Sequence, residues 1–232
     1  MIDQNIAELS AKIDALDRSQ AVIEFEPTGR IITANANFLN VLGYRLEEIV
    51  GQQHSMFLEP AHRDQPVYRK FWDDLRAGHF QSGEFMRIAK NGAEVWIQAT
   101  YNPILDAQDK VTKVVKFATD ITLAKNEAAA AQGQLEAIRS SQAVIEFDLT
   151  GKILAVNANF LGAVGYRENE VVGQHHGIFV DPAYRASHEY KRFWESLRHG
   201  ETQSGEFKRF DKNGREVWLQ AYYSPIFNAA GK

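Results

Sequence analysis

The sequence contains one long segment twice, and this internal repeat constrains the fold more than any other feature. The stretch Ser19-Gln-Ala-Val-Ile-Glu-Phe25 returns as Ser141-Gln-Ala-Val-Ile-Glu-Phe147, an offset of 141 − 19 = 122 residues that holds without a gap to the last residue. Repeats in solenoid proteins are roughly 20 to 50 residues long, so a period of this length indicates a duplicated domain. The 232 residues therefore predict two copies of one module, each large enough to bury a core of its own.

Composition and motifs exclude several classes of function. The chain carries 26 lysines and arginines against 30 aspartates and glutamates, with no basic footprint for a phosphate backbone, so we do not expect a nucleic-acid partner. The absence of cysteine excludes disulfides, thiolate metal sites, cysteine nucleophiles and cysteine–flavin photochemistry. No nucleophile elbow, phosphate-binding loop, zinc-protease motif or kinase signature is present, and we therefore do not expect an enzyme.

Hydropathy predicts the location of the protein. No apolar run approaches the roughly 20 residues that cross a bilayer. The N-terminus also lacks the basic and apolar regions of a secretory signal. We therefore expect a cytoplasmic protein with no membrane span in this segment.

A helical pattern precedes each copy of the module. Apolar residues before the first copy are spaced by four, three, four and three positions, namely Ile2, Ile6, Leu9, Ile13 and Leu16. The same phase returns before the second copy as Ala124, Ala128, Ala131, Leu135 and Ile138. These seams predict an N-terminal amphipathic helix at 1–18 and a connector helix at 123–140. Each helix could lie on the sheet of its own module, or it could pair with the same helix of a second chain.

Within each module, strand patterns alternate with short helical patterns. In the first module, 19–122, the pattern predicts helices at 36–42, 45–49 and 67–77, and strands at 21–26, 30–34, 83–88, 93–105 and 111–118. This order predicts an α+β fold, a five-stranded antiparallel sheet with short helices on one face. The pattern of the second module, 141–232, stops before an equivalent of the last strand, and a strand from a partner could take that place by edge addition.

The repeated motifs resemble those of PAS domains. The resemblance is carried by Asn35-x-Asn37-Phe38, Gly43-Tyr44, Gly51-Gln-x-His54, Trp72-x-x-Leu75-x-x-Gly78, Lys90-Asn-Gly92 and Asp120-Ile-Thr122. The tandem arrangement is similar to the sensory regions of bacterial methyl-accepting chemotaxis receptors. This resemblance implies a homodimer that senses redox state, oxygen or a small molecule. It would signal through dimer helices and an absent C-terminal domain to a coupling protein and a histidine kinase. The alternative is an interaction scaffold that binds no ligand.

Histidine occupies one position shared by both modules, His54 and His176. Resemblance to haem-binding PAS chemoreceptors implies that these residues bind the iron of haem b, with His62 as a rival in the first module. A structural hydrogen bond to a loop carbonyl is the alternative. Resemblance to flavin-binding PAS receptors implies FAD as the second cofactor. However, Leu58-Glu59 stands where those receptors carry Arg-His, which disfavours a pyrophosphate. A module without a cofactor is the third alternative.

Two further pairs of residues are candidates for contact with a ligand. Trp72 and Trp194 could stack on a ligand ring, or they could belong to the core of the helix layer. Asn35 and Asn157 could contact a ligand, although each also stands where it would cap the helix that follows.

Overall fold

The computed structural model describes residues 2–228 and 231, with side chains from residue 4 onward, and divides into two units, 1–130 and 131–232. Among the described residues, no helix is both long enough and apolar enough to cross a bilayer. The predicted connector at 123–140 falls within a helix, α5, that spans Thr122–Ser141 and joins the two units. Each unit is described by itself below.

Unit 1 has the order of elements that the hydrophobic pattern predicts. Its helices are α1 (Ile2–Ser19), α2 (Ala36–Leu42), α3 (Leu46–Ile49) and α4 (Pro66–Arg76). Two 3₁₀ turns, His54–Phe57 and Pro60–His62, lie in the stretch between α3 and α4. Its strands are β1 (Ala21–Phe25), β2 (Ile31–Ala34), β3 (Gln81–Ile88), β4 (Glu94–Leu105) and β5 (Val111–Asp120).

The strands of unit 1 form one antiparallel sheet in the order β2-β1-β5-β4-β3, so the last strand in sequence lies in the middle. The helices cover one face, where the core consists of aromatic and aliphatic side chains from both layers, among them Phe25, Phe38, Phe57, Leu75 and Ile97. The predicted α+β fold with a five-stranded sheet is confirmed for this unit.

Unit 2 repeats this order but forms two separate ladders. Its helices are α6 (Ala158–Val164), α7 (Glu168–Val171), α8 (Pro182–Ala186) and α9 (His188–Arg198), with a 3₁₀ turn at His176–Phe179. Strands β6 (Ile145–Phe147) and β7 (Ile153–Val156) form one pair, and β8 (Gln203–Phe210) and β9 (Glu216–Tyr223) form the other. Within the described residues of unit 2, no strand joins the two pairs.

The missing central pairing explains where β9 ends. In unit 1, β3 pairs with β4 only as far as Tyr101, and the residues from Asn102 to Leu105 pair with β5 alone. Tyr223 is the counterpart of Tyr101, and β9 ends there. That the second module lacks its last strand, and that a partner strand takes that place, both stay predictions.

The apolar seam of α1 does not pack on the sheet of unit 1. Its members within the described side chains, Ile6, Leu9, Ile13 and Leu16, are 47% to 65% exposed. Leu135 and Ile138 of α5 are exposed as well, and α5 contains no buried residue. Of the two alternatives, packing on the sheet of the helix's own module is therefore wrong for these residues. Ile2 lies outside the described side chains.

Substitution of Gly29 tests the packing beneath the β1–β2 turn. Gly29 and Gly92 share a φ of +85°, but a Cβ at Gly29 would lie 3.1 Å from the Trp72 ring, whereas a Cβ at Gly92 would meet nothing within 4 Å. Alanine at either site should cost about 1–2 kcal/mol for its left-handed backbone. Gly29→Ala should cost about 1–3 kcal/mol more because the Trp72 ring must move. Urea unfolding of both variants measures the difference, and equal losses would contradict the close packing.

Candidate functional site

His54 lies at the centre of a buried hydrogen-bond network in unit 1. Its backbone N–H donates to the Gly29 carbonyl at 2.8 Å, which fixes the 3₁₀ turn beneath β1 and β2. The imidazole is 1% exposed, with Nδ1 3.0 Å from Tyr68 Oη and Nε2 3.1 Å from Tyr101 Oη. Arg87 Nη2 donates to the same Tyr101 hydroxyl at 3.0 Å. The turn, α4, β3 and β4 thus each contribute one residue to the network.

The network keeps its histidine neutral. Burial lowers the pKa of His54 well below its ordinary value, and the nearby charges of Arg87 and Lys116 lower it further. Burial also raises the pKa of both Tyr68 and Tyr101, so both hydroxyls stay protonated. One ring nitrogen therefore donates and the other accepts, which a single neutral imidazole can do.

Unit 2 repeats the network at the same offset. His176 Nδ1 lies 2.8 Å from Tyr190 Oη, and its Nε2 lies 3.4 Å from Tyr223 Oη. Arg209 Nη2 donates to Tyr223 Oη at 2.9 Å. Burial lowers the pKa of His176 to about 3, and Arg209 adds to the shift. Sequence reasoning missed the tyrosines and arginines, although each of them recurs at the repeat offset.

The two histidines do not fit as axial ligands of haem iron in this arrangement. An axial ligand needs a ring nitrogen that faces the iron, whereas both ring nitrogens of His54 and of His176 are engaged by tyrosine hydroxyls. The alternative, a structural hydrogen bond from His54 to a loop carbonyl, is present through the backbone N–H, which donates to Gly29, whereas the ring contacts tyrosine hydroxyls. No group of three or more His, Cys, Asp or Glu suits a metal ion in the part of the chain that the structure describes.

A cavity of about 350 Å³ opens beside the network at the edge of β3, and we call it the β3 cavity. His54 and Arg87 form part of its wall, His62 lies at the exposed edge, and Glu59 Oε2 is 3.4 Å from His62 Nδ1. Aromatic and apolar side chains supply most of the remaining surface, namely Leu58, Val67, Tyr68, Phe71, Phe85, Met86 and Trp96. A cavity of this size and lining suits a small ligand.

The lining of the β3 cavity does not fit the pyrophosphate of FAD. Glu59 belongs to the wall, at the position where the sequence departs from flavin-binding receptors, and Glu84 is a second carboxylate in the wall. Like charges at this range repel a doubly charged group. His62 is the one predicted site residue besides His54 that reaches the cavity wall.

Trp72 and Trp194 belong to the core, which agrees with the second interpretation of these residues. They are 4% and 7% exposed. The Trp72 ring packs edge-on against Phe25 and His54, at centroid distances of 5.6 and 5.5 Å. Trp72 does not line the β3 cavity, whereas Trp194 borders an open and mainly polar cavity of unit 2. The Nε1 atoms of both tryptophans are buried without a hydrogen-bond partner in the described structure.

Asn35 clamps three elements together. Its Oδ1 accepts from the N–H groups of Val22 and Phe38, at 3.0 and 2.9 Å, which ties β1 to the start of α2. Its Nδ2 donates to the carbonyls of Asp17 and Gln20, at 2.9 and 2.8 Å, at the end of α1. The last carbonyls of a helix have no hydrogen-bond donor within the helix, and the Asn35 side chain donates to them instead. Asn35 therefore acts in helix capping, and it is not part of the β3 cavity wall.

The same clamp occurs in unit 2. Asn157 Oδ1 accepts from the N–H groups of Val144 and Phe160, and its Nδ2 donates to the carbonyls of Arg139 and Gln142 at 2.6 Å each. Each unit thus holds the end of the helix that precedes its first strand.

The helix that leaves unit 1 is held to the sheet by the Asp120-Ile-Thr122 motif. Trp96 N–H donates to Thr122 Oγ1 at 2.9 Å, and Ile121 N–H donates to the Trp96 carbonyl at 2.8 Å. One turn further along α5, Lys125 Nζ pairs with Glu84 Oε2 at 2.5 Å and lies 5.4 Å from the Trp96 ring centroid. Glu84 and Trp96 also line the β3 cavity. Two residues of the cavity wall therefore contact the exit helix directly.

The fold and the repeated motifs agree with comparison to known proteins. The profile of the PAS fold matches residues 31–118 and 153–232, so the chain belongs to the PAS fold family and carries two PAS domains. It is 44% identical over 218 residues to the biofilm dispersion protein BdlA of Pseudomonas aeruginosa, a match that covers 94% of this chain and 52% of BdlA. This chain therefore spans about half the length of that relative.

Two further relatives match one part of the chain each. The aerotaxis receptor of Escherichia coli is 32% identical over 40% of this chain and 18% of its own length. The oxygen sensor protein DosP of the same species is 28% identical over 50% of this chain and 14% of its own length.

The pKa of His176 predicts how the stability of unit 2 depends on pH. Between pH 6.5 and about 3 the unfolded chain binds a proton at His176 that the folded chain excludes. Stability should therefore fall as pH falls, by about 2 kcal/mol between pH 7 and pH 5. Hydrogen exchange of the β8 and β9 amides measures this loss. The loss should be smaller in His176→Gln than in the exposed control His199→Gln, and equal slopes would contradict the assignment.

Asn35→Asp separates the two halves of the clamp. The carboxylate keeps the acceptor for Val22 and Phe38, because aspartate caps helices well, but it loses both donors to the end of α1. The last turn of α1 should exchange its amide protons faster, corresponding to a loss of about 1–3 kcal/mol, while α2 keeps its protection. Asn35→Ala should weaken both helices. Unchanged exchange in α1 of Asn35→Asp would contradict the clamp.

Proposed function

We propose that this chain is the sensory region of a cytoplasmic chemoreceptor, in which the first PAS domain detects a small molecule and signals through α5. The observation that carries the proposal is that Glu84 and Trp96 belong both to the wall of the β3 cavity and to the contacts of the exit helix. A ligand that moves either side chain changes how the first turn of α5 is held. Signalling is then a shift between two arrangements of this helix.

The relatives support the same class of function. BdlA is named for biofilm dispersion, and two other relatives are named as an aerotaxis receptor and an oxygen sensor. In a receptor of this class, a C-terminal signalling domain would act on a coupling protein and a histidine kinase. The arrangement of His54 and His176 favours a colourless ligand over haem b, and the lining of the β3 cavity disfavours FAD. We do not propose an enzymatic activity for this region.

The exposed helix seams support a homodimer. Ile6, Leu9, Ile13 and Leu16 lie on one face of α1 and contact no core, so a second copy of the chain is the partner that the heptad spacing fits. A helix pair of this kind also provides the two arrangements that a signal can select. The clamps at Asn35 and Asn157 fix the end of each entering helix to its PAS core.

The alternative function is an interaction scaffold that binds no ligand. The tight aromatic packing around His54 favours this alternative for the core itself, because rings of Phe25, Trp72 and Phe71 surround the imidazole. A scaffold would tolerate a filled β3 cavity without a change in α5, whereas a sensor would not.

Filling the cavity tests the sensor against the scaffold. The chain has no cysteine, so Ala124→Cys gives one spin-label site per protomer on α5. Met86→Trp adds a large ring at the cavity wall, and it should shift the label-to-label distance across the dimer. Thr100→Trp, at an exposed position of β4, is the control and should leave the distance unchanged.

The coupling contacts are tested in the same labelled chain. Lys125→Ala combined with Thr122→Val removes the ion pair to Glu84 and the hydrogen bond to Trp96. The distance shift caused by Met86→Trp should then disappear. A distance that does not respond to Met86→Trp in a folded protein would contradict the sensor proposal and favour the scaffold.

A further inference from the structure

Among histidine, lysine, arginine, aspartate and glutamate, every side chain that is buried in the described structure is a base. The set consists of His54, Arg87, Lys116, His176 and Arg209, and no aspartate or glutamate is buried among the described residues. A buried cation without an anionic partner is costly, because burial removes its hydration and nothing replaces it. In unit 1 one of these buried bases, the guanidinium of Arg87, lines the β3 cavity.

Arg87 and Lys116 lie on two strands of one sheet, and both contact Tyr101 on the strand between them. Arg87 lies on β3 and lines the cavity, and its guanidinium contacts the Met86 carbonyl, the Tyr101 hydroxyl and the Phe85 ring. Its Nε is buried and has no hydrogen-bond partner in the described structure. Lys116 is 0% exposed on β5, with Nζ 5.0 Å from the Tyr101 ring centroid. No carboxylate contributes to the pKa shift of Lys116 or of His54.

We propose that the β3 cavity binds a small organic monocarboxylate, whose carboxylate lies at Arg87 and whose apolar body lies against Phe71, Phe85 and Met86. The inference rests on the proposed sensory function and names the class of its ligand. A guanidinium with an unused N–H matches a carboxylate in both charge and geometry. The aromatic wall matches an alkyl or aryl body, and a cavity of about 350 Å³ limits its size.

The charge distribution along the cavity favours a ligand with one negative charge over a ligand with two. Arg87 is buried at the inner wall, whereas the carboxylates of Glu59 and Glu84 are 41% and 48% exposed at the outer wall. A single carboxylate can reach Arg87 while an uncharged body passes the two acids. A phosphate monoester would bring about twice the charge past the same acids.

Unit 2 provides an internal comparison. Arg209 repeats Arg87, but Tyr184 stands where unit 1 has His62, and its ring packs on Tyr190 with a centroid distance of 5.5 Å. Lys116 also has no counterpart among the described residues, because the equivalent position, 116 + 122 = 238, lies beyond residue 232. The proposal therefore concerns unit 1, and Arg209 serves as the matched control.

Isothermal titration of the whole chain tests the inference with hexanoate and phenylacetate as probes. Their neutral amides, hexanamide and phenylacetamide, match them in shape without the charge, and phenyl phosphate carries the larger charge. We expect at least one carboxylate to bind, its amide to bind roughly 10- to 100-fold more weakly, and Arg87→Gln to weaken the carboxylate by a similar factor. Arg209→Gln should leave the affinity unchanged.

Lys116→Met is the second variant, because Arg87→Gln also removes a bond to Tyr101. Lys116 does not line the cavity, so Lys116→Met should weaken carboxylate binding much less than Arg87→Gln does, while the chain becomes more resistant to urea. Equal binding of acid and amide, tighter binding of phenyl phosphate, a Soret or flavin absorption band in the purified chain, or no binding of either carboxylate to folded protein would each overturn the inference.

The two proposals fail separately. Carboxylate binding that leaves the distance at residue 124 unchanged would uphold the ligand class and contradict the sensory function. A distance that responds to Met86→Trp in a chain that binds neither carboxylate would uphold the sensor and overturn the ligand class.

Discussion

The structure of unit 1 depends on the two ladders that β5 forms, one with β1 and one with β4. These ladders join two hairpins into one sheet, and the joined sheet is what covers the core completely. Ile23, Phe25 and Tyr101 are fully buried in unit 1. Their counterparts Ile145, Phe147 and Tyr223 are only partly buried, because no strand of the described chain lies between β6 and β9. The weaker contact between His176 and Tyr223, 3.4 Å against 3.1 Å in unit 1, follows from the same difference.

The position of β5 also connects the core to the exit helix. The strand ends at Asp120, and α5 begins at Thr122, so the central strand and the helix are separated by one residue. That residue, Ile121, donates its N–H to Trp96 on the neighbouring strand. A shift of β4 relative to β5 therefore cannot leave the start of α5 unchanged, because both strands hold it. The clamp at Asn35 gives the entering helix a comparable attachment on the opposite edge of β5, through β1.

Local patterns in the sequence predicted much of this architecture, but they did not predict contacts between residues that are far apart in the sequence. The α+β fold and the cap at Asn35 follow from periodicity and from a polar residue just before a helix, which are properties of neighbouring residues. The two modules follow from the repeat at an offset of 122 residues. The partners of His54 are 14 and 47 residues away, on α4 and β4, and no local pattern marks them. Only the duplication carried that information, because Tyr68, Arg87 and Tyr101 each recur at the repeat offset. The exposed seam of α1 shows a second limit of sequence patterns. Amphipathic spacing identifies the apolar face of a helix, but it does not identify what covers that face.

Lys116 helps to distinguish a structural explanation of the buried basic residues of unit 1 from a functional one. A methionine of similar length would fill its place on β5 without the cost of desolvating an ammonium group, whose pKa burial holds well below the ordinary value. Stability alone therefore disfavours lysine at this position. It also disfavours Arg87 on β3, because the Nε of that side chain is buried without a hydrogen-bond partner in the described structure. Residues that cost stability are expected where function requires them. Arg87 lines the β3 cavity, whereas Lys116 lies over the Tyr101 ring, so a negatively charged ligand in the cavity would offset the cost of Arg87.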